Sequence, residues 1–285
     1  MNIKNYTFRT DFCDELILNH HKDDAIHYIK KQKGQCEITH VSIFKEDNIL
    51  DKDIGDYITI DFQNINDAKR RKEIIICIKE CLNEIAPYSF EKVLVVGLGN
   101  MDVVSDALGP KSCEKILVSS HLFENEKFEY LKGCRNVAIL TPKVMGQSGM
   151  ESAKITKAIV DLYQPDLVIA IDALATSSIS RINSAIQINN VGIKPGSGVG
   201  NHRKELDKHY LGCPIIAIGV ATVTSLGSLL KESLNENAKW NEIVKENIDL
   251  NLIVTPKNMD DILSHLSEII GEGLNYFIHP DYENL

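Results

Sequence analysis

From residue 92 onward the chain alternates continuous apolar runs with helical stretches, and no other feature restricts its fold as strongly. Lys92–Gly97, Val137–Leu140, Leu167–Ile171, Ala185–Ile188 and Pro214–Gly219 read as short strands. Runs that are apolar on both faces belong inside a sheet covered on both sides. Helical candidates lie between several of them, at Ala107–His121, Met150–Tyr163 and Val223–Glu232, and a further helix is expected over Met259–Ile270. This rhythm predicts an α/β fold with a mainly parallel twisted sheet flanked by helices on both faces. The part before about residue 90 is less regular. Tyr57–Phe62 reads as a strand and Asp67–Ile85 as a helix, within what is otherwise an irregular N-terminal extension. No Pro/Ser-rich linker or low-complexity tract interrupts the 285 residues, so a single domain over 1–285 is expected.

Charge and composition narrow the function classes. The 31 Lys+Arg against 40 Asp+Glu leave a net charge of −9, which argues against direct nucleic-acid binding, since such proteins carry a basic excess or stripe. No apolar run approaches the ~20 residues a bilayer crossing needs, so no membrane association is expected. The N-terminus Met1-Asn2-Ile3-Lys4-Asn5-Tyr6 has no apolar signal core, and a cytoplasmic location follows as the expectation. The 7 cysteines are scattered without a C-x-x-C pair, as reduced thiols would be. Cys77 and Cys81 share a helix face, but no second Cys/His pair accompanies them, and core packing is the plainer role. No H-E-x-x-H occurs; neither metal nor cofactor is expected.

In open α/β sheets, ligands bind beyond the carboxyl ends of the strands, where the strand order reverses. Two acids fall there. Asp172 follows Leu167–Ile171, and Asp106 lies in the loop-to-helix segment after Lys92–Gly97. If those strands are neighbours, the carboxylates face one another. Two such groups at close range share a proton, so that one activates a water while the other donates to the carbonyl oxygen or leaving amine. Each acid also has a plainer role, as a helix N-cap for Asp106 and a turn acid for Asp172. Gly97-Leu98-Gly99-Asn100 begins like a dinucleotide fingerprint, but the third glycine is replaced by Asp102, an acid where a pyrophosphate would lie. The second glycine-rich stretch, Gly192 to Gly200, precedes His202-Arg203-Lys204 and lacks the nucleotide-loop pattern; it reads as a mobile or substrate-facing loop, or more plainly as a surface connection beside a solvated basic patch.

Longer blocks are more specific. Gly97-Leu98-Gly99-Asn100, Ser105-Asp106-Ala107-Leu108-Gly109-Pro110, Thr141-Pro142-Lys143-Val144-Met145-Gly146-Gln147-Ser148-Gly149-Met150-Glu151, Ile171-Asp172-Ala173-Leu174-Ala175, and Pro195-Gly196-Ser197-Gly198-Val199-Gly200-Asn201 with Arg203-Lys204-Glu205-Leu206 occur in that order. Together they resemble the germination protease (spore protease) family of endospore-forming bacteria, and Val254-Thr255-Pro256-Lys257 extends the likeness. The resemblance implies an endopeptidase that degrades small acid-soluble, DNA-coating spore proteins during germination. It implies a fold similar to that of hydrogenase maturation proteases, a homotetramer, and a place in the cytoplasm of the developing forespore and spore core. It also implies a zymogen that removes its own propeptide.

The family's catalytic aspartates carry over to Asp106 and Asp172. Its processing pattern fits Arg9-Thr10-Asp11-Phe12-Cys13-Asp14-Glu15, which places the cut between Asp11 and Phe12 and makes residues 1–11 the propeptide. Acids flanking the cut call for cationic partners, and Arg181, Lys194, Arg203 and Lys204 are the candidates. Three positions depart from the family pattern: Asp102 adds an acid, and Ala221 and Ser225 stand where proline and aspartate are expected. Two other functions remain open, a metal-assisted maturation peptidase with Asp106 and Asp172 as ligands, and a non-catalytic α/β binding protein.

Overall fold

The apolar runs meet in one nine-stranded sheet, as the computed structural model shows for residues 10–17, 23–124, 133–194, 204–233 and 249–282. Its strands are β1 (Ile26–Lys33), β2 (Cys36–Ile43), β3 (Gly55–Asp61), β4 (Lys92–Gly97), β5 (Asn136–Leu140), β6 (Leu167–Thr176), β7 (Ala185–Asn189), β10 (Ile215–Ser225) and β11 (Ile253–Val254). A separate two-stranded ribbon joins β8 (Gly192–Ile193) to β9 (Leu206–Asp207). The spatial order is β1-β2-β3-β7-β10-β6-β4-β5, with β11 on the end of β10. The run β10-β6-β4-β5 is parallel, and the extension before residue 90 adds β1–β3 as an antiparallel meander that reaches the parallel part through β7.

Helices cover both faces. On one, Ala68–Ile85 starts at Asp67, whose carboxylate accepts from the Lys69 N–H at 2.8 Å, and buries Ile74, Cys77, Ile78, Cys81, Leu82 and Ile85. That spacing is one helical face, and it packs with Leu108–Cys113 and Met259–Ile278 over Val93, Val95, Ile169, Ile171 and Ile216. On the other, Ser152–Tyr163 lays Ala153 and Val160 on Leu94, Val96, Val168 and Ala170. From β4 the chain goes outward to β5, then crosses back to β6 on the other side of β4. The reversal puts a crevice at the carboxyl ends of β4 and β6.

Several element boundaries differ from those expected. The helix expected over Ala107–His121 is two pieces, Leu108–Cys113 and Ser120–Glu124. Between them Asn275 accepts from the Leu117 N–H and donates to the Lys115 carbonyl, both at 2.9 Å, and Ser119 bonds to Val137 of β5. These outside partners replace helical ones. Strand β6 continues through Thr176, so Asp172 lies inside a strand instead of after one. Strand β10 likewise runs to Ser225, and its helix, Leu226–Ser233, begins only there. The last helix reaches Ile278 because Leu274, Phe277 and Ile278 keep its buried stripe going.

Packing in the crevice is tight at Gly109. A methyl group there would lie 2.3 Å from the Leu98 carbonyl oxygen and 2.5 Å from that of Ile171, both main-chain atoms that cannot turn aside. Gly109→Ala is expected to lower stability by about 1–3 kcal/mol, the range for overpacked interiors. The midpoint of urea unfolding measures it; an unchanged midpoint would show that the loop can move away at no cost.

Candidate active site

Strand β4 ends where Gly97 pairs with Ile171, and the Leu98 N–H then donates to the Ile171 carbonyl at 2.8 Å. The chain turns at Gly99, whose φ of +113° disfavours a side chain and whose missing Cβ would sit 1.9 Å from the Asp106 carbonyl oxygen. Asn100 closes the turn, its N–H reaching the Asp106 carbonyl at 3.1 Å and carboxylate Oδ2 at 2.9 Å. From the far side Thr222 Oγ1 donates to the Ser105 carbonyl at 2.8 Å. Asp106 does not serve as the N-cap: that position is Ala107, with no side-chain cap bond.

Asp172 is buried in β6, one residue beyond the last pairing with β4, and its Oδ1 accepts from the Ala173 N–H at 2.9 Å. Both carboxylates line one cavity of about 300 Å³ at the β4–β6 crevice. The condition set by the sequence, that their strands be neighbours, is met. A cleft that holds two acids on separate, tightly braced backbones suits acid–base chemistry on a bound polar substrate.

The N-terminal segment reaches the same cavity, where Asp11 forms part of the wall. Asp11 donates its N–H to the Ala175 carbonyl at 2.9 Å, and its Oδ2 accepts from the Ala175 N–H at 2.8 Å. Gln187 of β7 donates from Nε2 to the Asp11 carbonyl at 3.0 Å and accepts at Oε1 from the Cys13 N–H at 2.7 Å. Phe12 is wholly buried against Leu174, Ala185 and Ala221.

The cationic candidates divide. Lys194 lines the cavity, with its ammonium 3.0 Å from Glu205 and 3.7 Å from Asp53. Arg181 lies outside it and binds acids of the N-terminal segment, Asp14 at 2.6 Å and Glu15 at 3.4 Å, together with Asp61 at 2.7 Å. Lys204 is not among the cavity residues; its ammonium stands 3.9 Å from the Tyr210 ring centre. Arg203 lies outside the described residues. Asp102 sits on the exposed rim, bonded to Gln147 at 2.7 Å. Ser225 acts as a helix cap, accepting from the Ser228 N–H at 3.0 Å, a role an aspartate would also fill.

Gln187 and Lys143 are among the cavity residues to which sequence reasoning assigned no role. Gln187 left a trace, a lone amide between Ile186 and Ile188 in an apolar strand. Lys143 stood only as one member of the Thr141–Glu151 block, and it holds a left-handed φ of 63° at the cavity wall. Among the described residues no group of three or more His, Cys, Asp or Glu is placed to hold a metal ion. No described helix is long and apolar enough to cross a membrane.

Residues 14–236 match the family model described as germination protease. Three germination proteases are similar over most of their length. That of Oceanobacillus iheyensis is 42% identical, with 90% of this chain and 87% of the relative covered. That of Clostridium acetobutylicum is 36% identical (92% and 90% covered), and that of Clostridium tetani 34% (88% and 88%). Among solved structures, the NiFe-hydrogenase maturation protease HycI from Thermococcus kodakarensis is 18% identical over 70% of this chain and 98% of its own, with a TM-score of 0.36.

The charge cluster around Arg181 bears on stability. Its side chain is 15% exposed, and those of Asp14 and Glu15 are 6% and 4%. Arg181→Met leaves these acids buried without their cation and is expected to cost about 3–5 kcal/mol, read as early proteolysis around residues 11–17. Burial pushes the Asp61 carboxyl from 3.8 up to about 6, against the opposing pull of Arg181. A folded-state value above the unfolded one means that this group's contribution is full below pH 3.8 and lost as pH rises through about 6. Urea unfolding of Asp61→Asn is expected to lack that part of the pH 4–7 slope; an identical slope in both proteins would assign it elsewhere.

Proposed function

The chain belongs to the germination protease family and is a peptidase, and we propose that it is an aspartic-type endopeptidase that begins the degradation of small acid-soluble, DNA-associated spore proteins during germination. The observation that carries this reading is the shared cavity of Asp106 and Asp172, with the chain's own N-terminal acid, Asp11, in its wall. One carboxylate takes a proton from a water as it adds to the peptide carbonyl, and the other, protonated, supports the oxygen and then the leaving nitrogen. In this reading the two roles exchange a single proton between them.

The same site processes its own chain. Residues 1–11 form a propeptide released by a cut between Asp11 and Phe12, ahead of a single α/β peptidase unit. The position of Asp11 supports this, because it lines the same cavity as Asp106 and Asp172 and is held there by Ala175. Acids of the substrate are met by the main chain at Ala175 and by Lys194, while Arg181 anchors the residues on the carboxyl side of the cut. The enzyme works as a homotetramer in the cytoplasm of the forespore and spore core, on protein substrates and without touching nucleic acid itself.

The test is cleavage of a peptide containing Thr-Glu-Phe-Ala-Ser-Glu by the chain trimmed to start at Phe12, read by mass spectrometry. A cut after the first Glu is expected, unchanged by chelator and slowed about 10²–10⁴-fold by Asp106→Asn or Asp172→Asn. Chelator sensitivity would make the acids metal ligands, and absence of cleavage by the folded chain would make it a binding protein.

A further inference from the structure

Gln187 is 4% exposed, in a strand whose five residues are all buried. A buried amide is costly unless both its ends are bonded. Here both ends are spent on the N-terminal segment, one on each of the two peptide groups that flank Phe12. Oε1 accepts the Cys13 N–H at 2.7 Å, and Nε2 donates to the Asp11 carbonyl at 3.0 Å. The partners fix the orientation: a backbone N–H can only donate, so the amide oxygen faces Cys13 and the NH₂ faces the carbonyl.

The sheet register aligns this residue with the acids. Gln187 pairs with Gly219 of β10, and Gly219 pairs with Asp172 of β6, so Gln187 and Asp172 occupy one row and project from the same face. The residue between them carries no side chain. Asp11, Asp106, Asp172 and Gln187 line the same cavity. Ala175 meanwhile grips Asp11 through both its N–H and its carbonyl, which fixes the direction of the Asp11 carbonyl towards Gln187.

We infer that Gln187 is a catalytic residue of self-cleavage, the donor that holds and polarises the carbonyl of the bond being cut. The inference rests on the reading that this bond joins Asp11 to Phe12. Water oxygen bonds to the Asp11 carbonyl carbon and gives a proton to one carboxylate. The carbonyl π pair moves onto its oxygen, where the Gln187 Nε2–H meets the developing charge. The pair then returns, the bond to the Phe12 nitrogen breaks, and that nitrogen takes a proton from the carboxyl side. The products are a chain ending in the Asp11 carboxyl group and one beginning with the Phe12 amine. Gln187 gives up no proton, so it serves as a fixed dipole throughout.

The experiment follows the full-length chain by intact mass and fits the first-order release of residues 1–11. Gln187→Leu is expected to slow release about 10²–10³-fold, the effect of removing one such donor. Gln187→Glu keeps the shape but donates only when protonated, so its rate relative to wild type at the same pH is expected to recover as pH falls, whereas that of Gln187→Leu stays flat. A merely structural role would not produce that difference. If Gln187→Leu does not fold, Cys13→Pro carries the test with Gln187→Glu. Proline is tolerated at the first helical position, and here it removes the N–H that orients the amide together with the buried Cys13 thiol, so unfolding midpoints are read beside the rates. A tenfold or greater slowing is expected.

Folded variants that release residues 1–11 within threefold of the wild-type rate would overturn the inference while leaving the cleavage reading intact. Release of a different fragment, or of none, by wild-type chain that still cuts the Thr-Glu-Phe-Ala-Ser-Glu peptide would overturn the cleavage reading itself, and the inference with it.

Discussion

The architecture of the site depends on how closely the turn after β4 can approach the end of β6. Three main-chain contacts allow it: Leu98 N–H to the Ile171 carbonyl, the Gly99 turn against the Asp106 carbonyl, and Gly109 seated on the carbonyls of Leu98 and Ile171. The two made by glycines exist only because a side chain is absent. Together the three bring a loop acid and a strand acid into one small cavity without either being carried on a mobile arm. The helix Leu108–Cys113 then presses this turn onto the sheet with Leu108 and Cys113 fully in the core. The glycines that begin like a nucleotide fingerprint therefore do a related mechanical job, close strand-to-helix packing, for a different chemistry.

The long pair β6 and β10 provides the second half of the arrangement. Both run past the end of β4, so the sheet continues as a ledge on one side of the cavity. The N-terminal segment lies on that ledge, bonded to Ala175 of β6, Gln187 of β7 and, through Asp14 at 2.8 Å, Thr59 of β3. The antiparallel meander contributes to the site through this contact: it widens the ledge and brings Asp61 to Arg181.

The parallel half was legible in the sequence because fully buried strands need uninterrupted apolar runs, and the two acids stood out as polar residues at their carboxyl ends. The meander was less legible because β1 is an exposed edge whose His27, Lys30, Lys31 and Gln32 show no buried alternation. The split of the helix after Asp106 was hidden since Asn275, which satisfies the break, is some 160 residues away in sequence. The cationic reading of acid recognition missed part of the answer for a chemical reason. A peptide N–H binds a carboxylate as readily as a lysine does, but every residue except proline has one, so Ala175 carries no mark in the sequence. Gln187 was visible only as one amide among isoleucines, a signal that indicates a bonded polar group without naming its partner.

The burial of Phe12 makes the two products of the proposed cut unequal. On the carboxyl side of that bond the chain is anchored by a fully enclosed ring and by the ion pairs of Asp14 and Glu15 with Arg181. On the amino side, Asp11 is hydrogen-bonded to Ala175 and Gln187. While the bond is intact, the tether keeps Asp11 at a local concentration on the order of millimolar or higher, so even weak contacts hold it in place. Once it is broken, the same contacts must retain a free peptide at its bulk concentration.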